Sequence, residues 1–401
     1  LPRGLSAEIS ARYEDSQSET DSGFPLVTDF PNENKTRKSS VASTLRSSIF
    51  DDRLRNEINM NWTSTNNNNV DKNNNSLDKT SSDKYELTYQ TTVSFDSNYV
   101  LPTTHQMTFA IDHEHQRFRQ RGQDQGFGNP NQNRHINNTG FIGEYLGTLG
   151  SSLVLSAAIR SDINSDYSNG TTFKVGGSYD LPFTNTKVRL NYSTAQKNPT
   201  FIERFGFFVP DSSATRFEGN PNLKPEKATG WELGLERNFW TDQLVFSVAW
   251  FREKLENEIN GFIAQPDGIF TALNVSGTSL REGLETSITA IFPMGLSVKT
   301  NYTYLDATEL NAVLGRRVDE VRRPNHQMSL QADWHSDNGK LALTTFVTHS
   351  GAFFDLDFSQ FPATRERLKS YTLVGFNGRY NIRDYLKGFI KVENAFDEHY
   401  E

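Results

Sequence analysis

Runs in which apolar and polar residues alternate with a period of two recur along almost the whole chain, and the connections between them alternate as well, a tight turn and then a long polar loop. Leu296, Val298, Thr300, Tyr302 and Tyr304 alternate with Ser297, Lys299, Asn301 and Thr303. Leu54, Ile58, Met60 and Trp62 stand against Arg55, Glu57, Asn59 and Asn61, and Leu244, Phe246, Val248 and Trp250 against Ser247 and Ala249. Successive side chains of an extended strand point to opposite faces, so each run gives one apolar and one polar face. About seventeen strands are predicted, at 4–16, 35–51, 53–67, 83–97, 104–120, 134–150, 152–165, 170–182, 186–199, 229–240, 242–260, 270–292, 296–309, 326–337, 341–355, 371–382 and 387–400.

The connections narrow the fold. Tight turns are expected at Phe50-Asp51-Asp52-Arg53, Leu149-Gly150-Ser151, Pro182 to Asn185, Trp240-Thr241-Asp242, Pro293-Met294-Gly295, Ser336-Asp337-Asn338-Gly339 and Arg383-Asp384-Tyr385. Long loops are expected at 15–34, 66–82, 119–134, 198–229, 257–270, 307–324 and 352–370. Short turns at one rim and long loops at the other are what an antiparallel transmembrane β-barrel requires. Soluble sandwiches seldom keep that order, and the intervals vary too much for a propeller or solenoid.

Composition agrees once a barrel is in view. Of 401 residues only 35% are hydrophobic, and no run of about eighteen apolar residues offers a transmembrane helix. A barrel strand needs only about nine to eleven residues and shows half of them to lipid, so low mean hydropathy is expected. A net charge of −8 gives no basic footprint for nucleic acid. The absence of Cys is consistent with an extracytoplasmic protein that uses no disulfides. Leu1-Pro2-Arg3 has neither an initiator Met nor a signal-peptide pattern, so the chain reads as beginning inside a larger protein.

From Asn191 to Gly234 an alternating strand runs into a loop carrying Gly219-Asn220-Pro221-Asn222-Leu223-Lys224-Pro225-Glu226, and Trp231-Glu232-Leu233-Gly234 opens the next strand. The order of a Lys-x-Pro strand end at Pro199, a GNPxLxPE segment and an E-x-G strand resembles the barrel of TonB-dependent outer-membrane receptors. Val392 to Tyr400, with Asn394, Phe396, Asp397 and Tyr400, resembles their penultimate-strand signature. Asn274, Gly283 and Glu285, and Arg322-Arg323-Pro324-Asn325-His326 stand where the cobalamin branch has an Asn, a Gly-x-Glu and an Arg-Pro-x-His segment. The likeness is strong over 150–401 and one of pattern before that.

The resemblance implies that 1–401 is an incomplete all-β transmembrane barrel domain, about seventeen of twenty-two strands, with the plug domain and the TonB box outside these residues. It implies a non-enzymatic importer of a metal chelate, a siderophore or a cobalamin, in the bacterial outer membrane. Its partners would be membrane lipid, that ligand and the TonB-ExbB-ExbD energy-coupling complex, engaged through the plug. The alternative is a passive porin-type channel. The motif residues Pro199, Gly219, Asn220, Pro221, Leu223, Pro225, Glu226, Gly283, Glu285, Asn394, Phe396, Asp397 and Tyr400 are expected to be mainly structural. Haem receptors of this kind carry a His in the long loop, whereas here none occurs between His135 and His326.

Two readings of the long loop stand side by side. Its Pro and Asn residues shape a turn-rich backbone; alternatively it overhangs the mouth, with Arg204, Phe207, Phe208 and Arg216 as ligand anchors, the residue types that dominate binding sites. His113 and His115 share a strand face with Met107, Phe109 and Ile111, which suits the outer headgroup level better than a metal, with Asp112, Glu114 and Gln116 on the lumen side. The Asn-rich 66–82 segment is expected to be a mobile loop. Glu14, Asp15, Glu19, Asp21 and Asp29 form an acidic loop that suits solvent, or Ca²⁺ as the one cofactor to be considered. Arg281, Glu282, Arg316, Arg317, Asp319, Glu320, Arg322 and Arg323 read as charge pairs at the rim. No nucleophile and base fall together, so the chain reads as no enzyme.

Overall fold

A computed structural model describes residues 4–20, 32–99, 101–122, 130–208, 216–311, 315–357 and 364–400. The first nine strands are β1 (Leu5–Thr20), β2 (Asn32–Ile49), β3 (Leu54–Val70), β4 (Ser76–Ser97), β5 (Thr103–Gly122), β6 (Gln132–Leu149), β7 (Leu153–Asn164), β8 (Gly170–Leu181) and β9 (Thr186–Lys197). A one-turn helix α1 (Phe201–Phe205) and the short strands β10 (Phe207–Phe208) and β11 (Arg216–Glu218) follow, then β12 (Glu226–Phe239) and β13 (Leu244–Glu256). The remainder is β14 (Ile259–Ala264), β15 (Ile269–Asn274), β16 (Thr278–Phe292), β17 (Leu296–Asn311), β18 (Arg316–Asp319), β19 (His326–His335), β20 (Leu341–Ser350), β21 (Phe353–Asp357), β22 (Thr364–Leu368), β23 (Tyr371–Arg383) and β24 (Leu386–Val392).

Seventeen of these strands form one antiparallel meander, each paired to the next long strand, and β18 adds to it by pairing with β17. Every expected run falls on one of the seventeen. Among the described residues β1 pairs with β2 and β24 with β23.

Register carries the apolar phase unbroken from strand to strand. Val188 faces Leu235, Leu235 faces Val248, Val248 faces Thr286, Thr286 faces Tyr302, and Tyr302 faces Met328. This face also holds Leu190, Tyr192, Leu244, Phe246 and Val298, the residues expected to point outward. A shift of one residue would exchange the two faces of a strand, so burial of either face fixes the pairing. The opposite face is polar and internally paired: Arg46 with Glu57 at 2.7 Å, Lys84 with Glu114 at 2.7 Å, Arg160 with Asp112 at 3.0 Å, and Arg189 with Glu232 at 3.0 Å. The loop after β9 crosses this polar face to reach β5 and β6, strands that lie three to four places away in the sheet, or about 15–20 Å. In a barrel the apolar face meets lipid, so the polar face on which this loop packs is the lumen.

The tight rim uses left-handed backbone where the turns demand it. Phe50, Asp51 and Asp52 all have positive φ, as do Trp240, Thr241 and Asp242. Phe50 and Trp240 project from this rim, exposed.

Several expected boundaries need correction. The 66–82 segment is not a mobile loop: β3 and β4 stay paired up to Val70 and Ser76, leaving only a five-residue turn. Polar composition misleads here because the Asn and Thr side chains bond across strands, with Asn67 Oδ1 accepting from Thr36 at 2.9 Å and Asn67 Nδ2 donating to Thr80 at 3.4 Å. At the tip Asp71 accepts from the side chain and backbone of Asn75 and the backbone of Asn73, donors that hold its carboxyl below the usual range. The 242–260 run ends at Glu256, and 270–292 divides at Gly277, whose φ is +113°. The 341–355 run breaks at Gly351, and 387–400 ends at Val392 because Asn394 and Asp397 adopt positive φ.

Candidate functional site

The long loop after β9 begins with a helix the sequence encodes locally. Thr200 Oγ1 accepts from the Glu203 amide at 3.2 Å, and Glu203 Oε2 accepts from the Thr200 amide at 2.7 Å, a reciprocal capping box. One turn is too short to persist alone. It is held by its buried residues: Phe201 stacks on Phe118 of β5 with centroids 5.4 Å apart, and Ile136 of β6 completes the cluster. Gln120, wholly buried, extends the anchorage by donating to the Phe207 carbonyl at 2.8 Å and accepting from its amide at 3.3 Å.

Beyond the helix, β10, β11, β15 and β14 form a separate four-stranded sheet in which β11 and β15 run parallel. Phe217, Leu223 and Ala272 are its core. The Gly219–Glu226 segment fastens this sheet to the loop and the wall. The Gly219 amide donates to the Gly206 carbonyl and the Asn220 amide to the Glu203 carbonyl, each at 2.8 Å. Asn220 Nδ2 donates to Ala272 O at 3.1 Å. Asn274 Oδ1 accepts from the Lys224 amide at 2.8 Å while its Nδ2 donates to Lys224 O at 2.8 Å and Asn257 O at 2.7 Å. Glu226 accepts from the Ile259 amide at 2.9 Å and from Lys197 at 3.1 Å. Pro199, Leu223 and Pro225 are buried, and Pro221 is exposed. The GNPNLKPE segment is therefore a loop-to-loop fastening, and Asn274 is its partner from the next loop.

Gly219 has no room for a side chain: a Cβ there would sit 2.5 Å from both Arg204 C and Phe205 N. Gly219→Ala is expected to destabilise the loop by about 1–3 kcal/mol. The check is limited proteolysis in the loop beside heat-modifiability of the barrel, with faster cleavage and an unchanged barrel as the expected pair. Gly283 is similarly confined, since a Cβ would meet the Tyr304 carbonyl and the Phe251 ring. Glu285 is exposed on the lumen face. Asn394 closes a turn with Glu398 through two bonds of 3.0 Å, the Asp397 amide donates to its carbonyl, and Tyr400 stacks on Tyr371 at 4.7 Å; Phe396 is exposed.

The four expected ligand anchors divide. Arg204 is buried: it pairs with Asp166, donates to Asp166 O at 3.1 Å and Pro221 O at 3.0 Å, and lies over the rings of Phe205 and Tyr167. Phe207 is buried as well, so it too supports the loop from within. Arg216 is half-buried, its Nε 2.6 Å from Glu218 Oε1. Phe208 faces Phe217 in register. Burial pushes the Tyr167 phenol up to about 12, with Glu114 and Asp162 adding to the shift and Arg204 opposing it, so the ring stays neutral beside Arg204. Gln120, Asp166 and Tyr167 were not singled out from the sequence. Gln120 has a signal in hindsight, since it continues the lumen phase of β5 one step past Phe118.

A second group fastens the other rim loops. Arg281 reaches Glu320 at 3.0 Å, Glu258 at 3.6 Å and Glu253 at 3.7 Å, and Arg323 reaches Glu320 at 3.5 Å. Arg317 donates to Thr308 O at 2.6 Å, and Arg322 pairs with Asp355 at 2.8 Å. On the outer face, Arg252 pairs with Glu282 at 3.7 Å. Glu14 and Asp15 occupy opposite faces of β1 and pair with Arg12 and Arg37, so they do not converge on a cation; Asp21 and Asp29 lie outside the described residues. Among the described residues no three His, Asp or Glu side chains group as a metal site.

Comparison with known proteins places this architecture. Residues 4–395 match the family described as TonB dependent receptor-like, beta-barrel. The vitamin B12 transporter BtuB of Photobacterium profundum is 28% identical over 251 residues, which is 61% of this chain and 36% of that protein. Among solved structures, the ferric enterobactin receptor PfeA of Pseudomonas aeruginosa, a mutant in complex with enterobactin, superposes with a TM-score of 0.77 at 18% identity, covering 99% of this chain and 63% of that one. The siderophore receptor PirA of the same organism gives 0.72 at 16% identity, covering 100% and 66%. At such identities the structures attest the fold alone. The chain thus spans about a third of the curated relative's length and under two thirds of these structures'. Nothing in these comparisons supports the passive-channel alternative, and the family is one of receptors and transporters, not enzymes. The match over 4–395 together with the seventeen-strand wall makes the chain a member of the TonB-dependent receptor β-barrel family.

Proposed function

We propose that this chain is the wall and mouth of a bacterial outer-membrane receptor that captures a metal chelate, a corrinoid or a ferric siderophore, and passes it inward through a plug engaged by the TonB-ExbB-ExbD complex. The observation that carries the reading is the mouth itself: a helix and a four-stranded sheet folded over a polar, charge-paired lumen and held by the GNPNLKPE fastening. Such a platform presents loop residues at fixed positions, as capture of a scarce ligand requires. Similarity to a vitamin B12 transporter at 28% identity supports the corrinoid, and the siderophore-receptor folds support the chelate class more broadly. Arg216 and Phe208 remain the candidate ligand contacts, with Arg204 and Phe207 acting through the loop they hold. Outer-membrane lipid is the partner of the apolar face.

The test is a binding titration of the full-length receptor against cyanocobalamin, a panel of ferric siderophores and haemin. Saturable binding of a corrinoid or a siderophore is expected. Binding of haemin with no response to the others would overturn the ligand class, since no His lies between His135 and His326 to meet its iron.

A further inference from the structure

Successive Asn residues at 66–69 run through the upper part of β3, although Asn is among the residues that strands disfavour. Asn66 and Asn68 take outward positions, and Asn67 and Asn69 lie on the lumen side with Glu57 of the same strand. Three cross-strand rows stand on that side. Lys38, Thr65 and Ser82 form the lowest, Thr36, Asn67 and Thr80 the next, and Asn34, Asn69 and Asp78 the one nearest the loop rim. The rows lie about 7 Å apart along the strands, and their members about 5 Å apart across them. The adjoining positions on β5 are Phe118 and Gln120, which hold α1 and Phe207, so this wall borders the mouth loop.

The wall is uncharged except for Lys38 and Asp78, whose charges cancel. Asn67 is used within it, bonded to Thr36 and Thr80. Among the described residues the Asn69 amide and the Thr65 and Ser82 hydroxyls make no side-chain hydrogen bond; all three residues are half-buried, and their polar atoms reach solvent. An amide presents both a donor and an acceptor, and a hydroxyl serves as either, so such a surface pairs with carboxamides. Cations elsewhere in the mouth are already matched: Arg204 pairs with Asp166, Arg216 with Glu218, Arg281 with Glu320 and Arg322 with Asp355. A polyanion entering here gives up hydration with Lys38 as the cation this wall offers, whereas an uncharged amide exchanges one set of hydrogen bonds for another.

We infer that the lumen wall of β2, β3 and β4 sets the specificity of the capture site, taking an uncharged chelate edged with carboxamides in preference to a polyanionic one through Thr65, Asn67, Asn69 and Ser82. The inference rests on the chelate-capture reading above and narrows its ligand class.

The experiment titrates the full-length receptor in phosphatidylcholine nanodiscs with two pairs of probes. One pair is cyanocobalamin and the same corrinoid with its side-chain amides hydrolysed to carboxylates; the other is an uncharged ferric trihydroxamate on a peptide ring and trianionic ferric enterobactin. An uncharged member should bind, and its anionic counterpart should bind more weakly by roughly tenfold or more, the effect of about two lost hydrogen bonds. Thr65→Lys with Asn69→Lys should narrow or reverse that preference, whereas Asn66→Lys with Asn68→Lys, at the outward positions of the same strand, should leave it. Asn69→Asp keeps the shape of the side chain and should weaken the uncharged probe by roughly fivefold and the anionic one by more. Equal or tighter binding of the anionic member by the unaltered receptor overturns the proposal and leaves chelate capture in place. So does a preference that is unmoved in the folded lumen-side variants, or moved as much by the outward pair. Failure of every probe to bind a folded receptor, judged by heat-modifiability, strikes the capture reading itself and this inference with it. The comparison of probes uses the unaltered receptor, so it decides the matter even where a variant does not fold.

Discussion

Replacing Val248 with Arg is expected to destabilise the barrel by about 2–4 kcal/mol, the penalty for a guanidinium at the lipid face near the bilayer midplane. Val248 lies on β13 four residues above Leu244, where the strand leaves the tight rim. At about 3.4 Å per residue and a tilt of roughly 40° that is about 10 Å into the apolar belt. Its neighbours across the pairing are Leu235 and Thr286, and Phe246 and Trp250 flank it on the same face, so no acid stands beside it to pair with the new charge. Folding of the full-length receptor into phosphatidylcholine vesicles, followed by heat-modifiability in urea, measures the loss. The control is Ser247→Arg, one residue away on the lumen face, where water is available and the expected change is small.

Arg204→Ala should cost about 3 kcal/mol, confined to the mouth. Removing one partner of a buried ion pair is a large loss because the remaining group keeps its desolvation without compensation. Here the change strands the Asp166 carboxylate and the Asp166 and Pro221 carbonyls, and it opens a space between Tyr167 and Phe205. Asp166 is partly exposed and water recovers some of that loss, which places the estimate at the lower end of the range for such pairs. Hydrogen exchange should show faster opening of the helix and of the Gly219–Glu226 segment while the wall strands keep their protection. Binding at the mouth should fall as the loop loosens. Arg204→Lys should recover little, because one ammonium cannot reproduce the fork that spans Asp166 and Pro221.

The wall was legible in the sequence because every strand there repeats one physical demand, apolar residues towards lipid and polar residues towards the lumen. Leu296 to Tyr304 declares that demand without help from any neighbour, and all seventeen runs land on strands for the same reason. Ends were harder. The Asn-rich run at 66–70 reads as loop by composition, and only register reveals that Asn67 bonds to Thr36 and Thr80 on either side. Asn394 stops its strand through a left-handed backbone that period-two patterning does not express. The mouth was legible in part. The Thr200 and Glu203 cap is local and can be read from spacing, whereas the sheet of β10, β11, β14 and β15 joins segments about fifty residues apart and carries no periodic signal in pieces of two to six residues. Arg204 reads as a ligand anchor by its residue type, and its bonds to Asp166 and Pro221 carry no signal in the sequence. Gln120 went unnoticed because a Gln on a lumen face is ordinary until Phe207 is known to lie against it.

The central claim is that one continuous face of the seventeen-strand wall meets lipid and the other encloses the lumen. Single nitroxide or fluorescent probes at Leu190, Asn191, Tyr192, Ser247, Val248 and Ala249 of the full-length receptor, in bilayers carrying brominated acyl chains or a water-soluble quencher, read that claim directly. The account predicts that Leu190, Tyr192 and Val248 are quenched by the lipid and Asn191, Ser247 and Ala249 are not, with the soluble quencher favouring the latter set. Equal lipid quenching at adjacent positions, or strongest lipid quenching at Asn191 and Ser247, would contradict it.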